Sequence, residues 1–316
     1  MNFNPLSAVY GAVVGARNAL YDRRWMRSRS LEGTVISVGN ISTGGSGKTP
    51  FVILLGELLK ARGIRFDVLS RGYGRATRGV LLVDPGGLPR DFGDEPLLIA
   101  RRLQTPVVVG EDRYEAGRFA ESRFGAQIHV LDDGFQHRGL ARDFEIGLVT
   151  PDDARDRLLP AGRLREPLRS LERADAVVLT SGASPESFPL AGKTVWRVRR
   201  GIVVQDVPAR PIVFCGIARP QNFLLQLRAA GVDPVAEAFF RDHHAYTEKD
   251  IRDLLELRQR SEAGGFLTTE KDAVNLGGYL AALAPLVVVR VKMELADTAN
   301  AVDTMLRVIE ERRRHS

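Results

Sequence analysis

The run Val38-Gly39-Asn40-Ile41-Ser42-Thr43-Gly44-Gly45-Ser46-Gly47-Lys48-Thr49-Pro50 decides the fold. An apolar strand pattern over 34–38 leads into it, and an apolar helical pattern over 48–60 leaves it. Strand, glycine-rich loop, Gly-Lys-Thr and helix in this order are the context of a phosphate-binding loop. Glycines let the backbone curl so that its N–H groups face phosphates, and the helix N-terminus adds a favourable dipole. Lys48 reaches the outer phosphates, and the Thr49 hydroxyl is a Mg²⁺ ligand. Ser42 stands where the strict signature has glycine, and Gly44, Gly45 and Gly47 supply the flexibility. The nucleotide-binding set is therefore Ser42, Thr43, Gly44, Gly45, Ser46, Gly47, Lys48 and Thr49. A glycine-rich turn with an incidental lysine is the bland alternative, and it leaves the coincidence of all four features unexplained. Pro50 is tolerated in the first helical turn.

Outward from the loop, short apolar runs alternate with amphipathic stretches. Strands are predicted over 66–70, 79–83, 106–109, 127–131, 146–149 and 176–179, and helices over 95–103 and 113–123. That alternation predicts an α/β fold, a mostly parallel sheet with helices on both faces. Runs over 194–198 and 202–204 flank Arg199-Arg200-Gly201 and suggest a hairpin or a two-stranded connector. A second α/β series follows, with strands over 211–215, 234–239, 265–268 and 286–291. Helices are predicted over 221–230, 248–260 and 299–314. The expected organisation is an N-terminal segment 1–30, a P-loop domain 31–197 and a smaller α/β domain 198–316. The placement of the terminal helix stays open.

The 316 residues suit two domains of ordinary size. Cys215 is the single cysteine, which excludes an internal disulfide framework and a multi-cysteine metal site. The net charge is +6, almost all from arginine, with lysine only at Lys48, Lys60, Lys193, Lys249, Lys271 and Lys292. Such a balance invites an acidic partner. No run reaches the roughly 18 apolar residues of a membrane span. Near the start, Leu6, Val9, Tyr10, Val13, Leu20 and Tyr21 recur at helical spacing, followed by Arg17, Arg23, Arg24, Trp25, Arg27 and Arg29. This suits a helix lying in a membrane interface, or equally one packed on its own domain.

Other residues are candidates on spacing alone. Asp132-Asp133-Gly134 ends the strand over 127–131, where a P-loop enzyme places a metal-organising carboxylate. Asp94, in Gly93-Asp94-Glu95-Pro96, reads as a helix N-cap or a general base. Arg71, after a strand and among glycines, faces an anion or solvent. His243 and His244 point apart in any regular element, which argues against a shared metal, and Asp242 beside them is placed to orient an imidazole. Glu166, in the proline-bounded loop 159–167, suggests an anion or metal site, or a local salt bridge.

Taken together, these motifs resemble the tetraacyldisaccharide 4'-kinases, the lipid A 4'-kinases. The likeness rests on Val38 to Pro50, Leu69-Ser70-Arg71-Gly72-Tyr73-Gly74-Arg75 and Gly93-Asp94-Glu95-Pro96. It continues through Val109-Gly110-Glu111-Asp112-Arg113, Leu131-Asp132-Asp133-Gly134-Phe135-Gln136-His137 and Leu159 to Pro167. Phe240-Arg241-Asp242-His243-His244 and Leu267-Thr268-Thr269-Glu270-Lys271-Asp272-Ala273 complete it. The family's loop is similarly loose at the position of Ser42. The resemblance implies transfer of the γ-phosphoryl group of ATP, with Mg²⁺, to the 4'-hydroxyl of an acylated glucosamine disaccharide 1-phosphate. It also implies two domains joined by a two-stranded linker around a cleft, and an N-terminal helix touching an anionic membrane. The expected location is the cytoplasmic face of the bacterial inner membrane, as a peripheral protein. Carried over, Asp94 resembles the base, His243 its partner and Lys48 the phosphate neutraliser. Thr49, Asp132, Asp133 and Glu166 would order Mg²⁺, and Arg71 and Arg113 are substrate candidates. Another P-loop small-molecule kinase or ligase is the alternative. A partitioning-type ATPase is a further one, but its extra lysine is Thr43 here. No nucleic-acid module and no obligate protein partner is evident.

Overall fold

The computed structural model describes residues 4–315; residues 1–3 of the expected N-terminal segment and residue 316 of the second domain lie outside the described residues. Among the described residues, twelve strands form one continuous sheet. In chain order they are β1 (Thr34–Asn40), β2 (Phe66–Ser70), β3 (Leu81–Leu82), β4 (Val107–Val109), β5 (Ile128–Asp132) and β6 (Phe144–Val149). Then come β7 (Ala176–Leu179), β8 (Thr194–Val203), β9 (Pro211–Cys215), β10 (Ala236–Phe239), β11 (Gly265–Thr269) and β12 (Leu286–Leu295). The helices are α1 (Pro5–Asp22), α2 (Lys48–Ala61), α3 (Pro89–Phe92), α4 (Asp94–Leu103), α5 (Arg113–Phe124), α6 (Pro220–Ala229), α7 (Glu248–Arg260), α8 (Glu270–Leu276) and α9 (Thr298–Arg314).

The strand order is β10-β9-β11-β12-β8-β7-β6-β1-β5-β2-β4-β3. Pairing is parallel except at β12–β8 and β4–β3. β1, β5, β6 and β9 are buried along their whole length, as expected for parallel strands covered on both faces. β1 lies between β5 and β6, and Val38 pairs in register with Asp132. Asn40 and the loop after it therefore emerge at the same sheet edge as Asp132, beside the end of β2 at Ser70. Ligands bind at this carboxyl edge in open α/β sheets.

The hairpin alternative for residues 194–204 needs correction, and the terminal helix, left open by the sequence, finds its place. Residues 194–204 are not a hairpin. β8 runs unbroken through Gly201 and finds its antiparallel partner 87 to 97 residues along the chain, from Arg290↔Val203 to Leu295↔Val198. β12 continues along this antiparallel pairing to Leu295, past the expected end at 291. The edge expected at 197/198 falls inside β8. The terminal helix also returns to the first half of the chain. Val302, Met305 and Ile309 of α9 pack in the same core as Phe51, Phe144 and Trp196. Arg312 bonds Asp175 (2.6 Å), and Arg313 bonds Asp143 (3.1 Å).

α1 also differs from its predicted face. Its inner side is polar and small. Ser7 donates to the Leu158 carbonyl (3.0 Å), Tyr10 to the Arg165 carbonyl (3.0 Å), and Asn18 to Glu166 (2.7 Å). Gly11 faces Leu158 so closely that an added Cβ would lie 2.8 Å from a leucine methyl. Leu6, Val9 and Val13 stay on the outside, each more than 60% exposed. Tyr10 thus leaves the apolar face to which its spacing assigns it.

Candidate active site

The loop between β1 and α2 holds its shape through three glycines in the left-handed region, Gly44 (φ 76°), Gly45 (φ 54°) and Gly47 (φ 85°). Buried Asn40 braces it, donating to Ser46 Oγ (2.7 Å) and accepting from Lys48 Nζ (3.2 Å). The Thr43 N–H donates to the Arg163 carbonyl (2.8 Å), and the Arg165 N–H to the Ile41 carbonyl (2.7 Å). The loop over 159–167 is thereby stitched to the phosphate loop.

At the end of β5 the two aspartates part company. Asp133 has φ 52° and meets Lys48 Nζ (3.4 Å) and Arg165 (3.0 Å). Burial pushes its carboxyl up, but those two cations prevail and hold it below the usual range. Asp132 is buried, with one oxygen accepting from Ser70 Oγ (2.9 Å) and Oδ1 without a partner. Burial, then Glu95 and Asp133, push it up to about 7 against Lys48 and Ser70. A buried acceptor with no donor and a high proton affinity suits a cation. Thr49 lines the same cleft. Among the described residues no three His, Cys, Asp or Glu side chains form a ready metal cage. Mg²⁺ does not need one, since it takes one or two protein oxygens with phosphates and water. Thr49 and Asp132 fit that requirement.

Glu166 is otherwise engaged. Arg173 grips it with two bonds of 2.7 Å, Asn18 donates at 2.7 Å, and Gln136 at 3.1 Å. Gln136 also donates to the Asn40 carbonyl (2.9 Å), so Glu166 links α1 to the base of the phosphate loop. Burial raises its carboxyl, and Arg173 with the amide donors more than reverses that.

Across the cleft, Asp94 is the first residue of α4. Gly93 (φ 90°) is the N-cap, so the cap reading of Asp94 does not hold. Its Oδ1 accepts from the Glu95 N–H (2.9 Å). Its Oδ2 meets His243 Nδ1 (2.8 Å) and Asn275 Nδ2 (3.3 Å), from residues 149 and 181 positions away. Burial pushes Asp94 up, but the His243 bond, the Lys271 charge and Asn275 hold it below its ordinary value. His243 itself sits at φ 58°. His244 turns away, bonding Asp250 (3.0 Å) and stacking on Phe240 at 4.7 Å.

Arg71 is exposed at the cleft rim. Arg113 is buried, with Nε unpartnered, and burial and Arg71 lower its proton affinity. The phosphate loop, Asp94, Asp132, His243, Arg71 and Arg113 line one cleft of about 1220 Å³, together with Tyr10 and Arg17 of α1. Spacing alone did not reveal Asn40, Ser70, Gln136, Asn275 or Lys271. Lysine is scarce in this chain, and that scarcity, which marks Lys48, was an equal signal for Lys271.

The chain as a whole is similar to known proteins. A family profile described as Tetraacyldisaccharide-1-P 4'-kinase matches residues 1–310. A Koribacter versatilis protein named tetraacyldisaccharide 4'-kinase is 51% identical, covering 98% of this chain and 99% of its own. One of that name from Aquifex aeolicus is 39% identical, over 87% and 89% of the two chains. A crystal structure of "apo" form LpxK from Aquifex aeolicus in complex with ATP superposes with a TM-score of 0.80. It is 35% identical over 96% of this chain and 97% of that one.

Proposed function

This chain belongs to the tetraacyldisaccharide 4'-kinase family and is an ATP-dependent kinase of lipid A biosynthesis, and from that premise we propose how its cleft carries the reaction. The acceptor is the 4'-hydroxyl of an acylated glucosamine disaccharide 1-phosphate, and the product is the bis-phosphorylated lipid A precursor. The cleft exceeds the few hundred to 1,000 Å³ typical of a single small ligand, which suits a nucleotide and a sugar together.

The carrying observation is the Asp94–His243 bond, which faces the phosphate loop within that one cleft. The loop amides and Lys48 hold the β- and γ-phosphates, while Asn40 and Asp133 supply Lys48's resting partners. Thr49 and Asp132 would hold Mg²⁺, with Asp133 and Glu166 bound to their own cations behind them. Bound there, the metal neutralises charge on the transferring phosphates. The 4'-oxygen attacks the γ-phosphorus as the bond to the β–γ bridging oxygen breaks. The hydroxyl proton passes to Asp94, and the leaving electrons depart with ADP. His243 orients Asp94 from the second lobe, and Arg71 and Arg113 face the substrate's anionic groups. Phosphoryl transfer needs little covalent help, so positioning and charge dominate.

The β8–β12 pair is the hinge between a P-loop lobe and a smaller lobe. α1 lies on the anionic cytoplasmic leaflet. Its outward Leu6, Val9 and Val13 enter the interface, and exposed Arg23, Arg24 and Arg27 meet lipid phosphates. No helix among the described residues is long and apolar enough to cross a membrane. Flotation with vesicles containing about one-third anionic lipid tests this arm. Recovery of the protein only from the soluble fraction would remove it.

A further inference from the structure

Glu270-Lys271-Asp272 opens α8, and each charge ties that helix to different neighbours. Glu270 accepts from Arg102 of α4 (2.6 Å) and from the Val291 N–H of β12 (3.3 Å). Asp272, wholly buried, accepts from the Gly216 N–H (2.7 Å), Tyr246 (2.8 Å) and Thr269 (2.5 Å). Lys271 points instead at the base. Its ammonium lies 3.1 Å from Asp242 Oδ1, 3.2 Å from His243 Nε2, and 3.7 Å from both Asp94 Oδ2 and Glu95 Oε1.

An ammonium has three donors and no acceptor. Its contact with Nε2 is a hydrogen bond only while Nε2 carries no proton. The ring's single proton then sits on Nδ1 and is donated to Asp94 at 2.8 Å. A second proton would set N–H against N–H and two cations side by side. The groups facing His243 are Asp94 of α4, adjacent Asp242, Lys271 of α8, which also meets Glu95, and the Tyr73 ring with its centre 5.7 Å away. The carboxylates favour an imidazolium, and Lys271 opposes it.

We propose that Lys271 is a positioning residue for the phosphoryl transfer: it holds His243 as the neutral Nδ1–H tautomer and so keeps Asp94 an open carboxylate for the sugar hydroxyl's proton. This rests on the reading of Asp94 as the base. The Asp94 hydrogen bond leaves the proton affinity of His243 raised on balance, and burial and the Lys271 ammonium limit that rise without reversing it. Without the ammonium the balance moves to imidazolium–carboxylate, in which Asp94 is a poorer acceptor. The acid limb of the pH–rate profile then moves to higher pH.

The test uses the full chain with ¹⁵N-labelled histidine, together with pH profiles of kcat and kcat/KM. In the unmodified enzyme at pH 8, His243 should show a protonated Nδ1 and a bare Nε2. Lys271→Met should move the acid limb up by about one pH unit. It should also make His243 titrate higher by a similar amount, lower kcat about tenfold at pH 7, and leave the KM for ATP within about twofold. Lys271→Arg, which keeps the charge and the donor, should restore most of the limb. An unmoved limb with an unmoved ring titration overturns the proposal, as does a protonated Nε2 in the unmodified enzyme, which decides the matter even if Lys271→Met does not fold. A raised KM for ATP with kcat unchanged also overturns it, leaving Lys271 as cleft packing. Asp94→Asn separates the two readings. If that variant keeps its turnover, the base assignment itself fails; if it loses turnover while Lys271→Met shifts nothing, only the role of Lys271 fails.

Discussion

Replacing Asp94 by asparagine removes a proton acceptor while keeping its shape. Its Oδ1 accepts from the Glu95 N–H, and its Oδ2 from His243 and Asn275. An amide has one acceptor oxygen for those two sites, so one N–H must face another. The expected cost is about 1–3 kcal/mol of folding stability. Loss of the base is larger, about 10²–10⁴ in kcat, or roughly 3–5 kcal/mol in the barrier. The KM for ATP should change less than about threefold, because Lys48 and the loop amides are untouched. Asp94 has a depressed pKa in the folded protein. Its ionic contribution is therefore present above the unfolded value of about 3.9 and is lost as pH falls through the lower folded value. The stability gap between the two proteins should grow as pH falls from 8 through the titration of His243, whose raised proton affinity depends on Asp94, and then narrow below about pH 4 as Asp94 itself is protonated. Steady-state transfer from labelled ATP and urea denaturation across that range read both effects. A fall in kcat of less than about tenfold would refute the base assignment, and a gap that keeps widening below about pH 4 would refute the electrostatic argument.

Asp132→Asn should cost at least about 10² in Mg²⁺-dependent turnover if this carboxylate meets the metal, read as kcat against Mg²⁺ concentration. Arg173→Met strips Glu166 of its bidentate partner and should cost about 3–5 kcal/mol in denaturant titration, with faster proteolysis within residues 5–22 as Asn18 loses its anchor. Changing Leu6, Val9 and Val13 together to serine removes three outward side chains with no core role. Vesicle partitioning should weaken by roughly 10²-fold while thermal denaturation stays unchanged.

Local pattern carried much of this molecule. The phosphate loop, its flanking strand and helix, and the Asp-Asp-Gly turn are legible because each is a contiguous signal. The Asp94–His243 contact is not, since 149 residues separate the partners and the residues around Asp94 also suit a helix cap. Only the resemblance joined them. β8 read as a hairpin or a two-stranded connector because Arg199-Arg200-Gly201 looks like a turn, and the partner that excludes the hairpin lies far along the chain. α9 shows the amphipathic pattern of any surface helix, which says nothing of the lobe it covers. On α1, Tyr10 counts as apolar by periodicity, yet its hydroxyl finds the Arg165 carbonyl and turns that face inward. Glu166 sits among arginines in sequence, and only the structure shows how fully Arg173 occupies it.

The most direct measurement is transfer itself. Purified protein, γ-labelled ATP and Mg²⁺ are incubated with the acylated glucosamine disaccharide 1-phosphate, and the lipid product is analysed for the position of the label. The account predicts one labelled phosphate at the 4' position, with Asp94→Asn reducing it by about 10²–10⁴. An unlabelled lipid beside brisk ATP hydrolysis, or label passed to a soluble sugar instead, would contradict it.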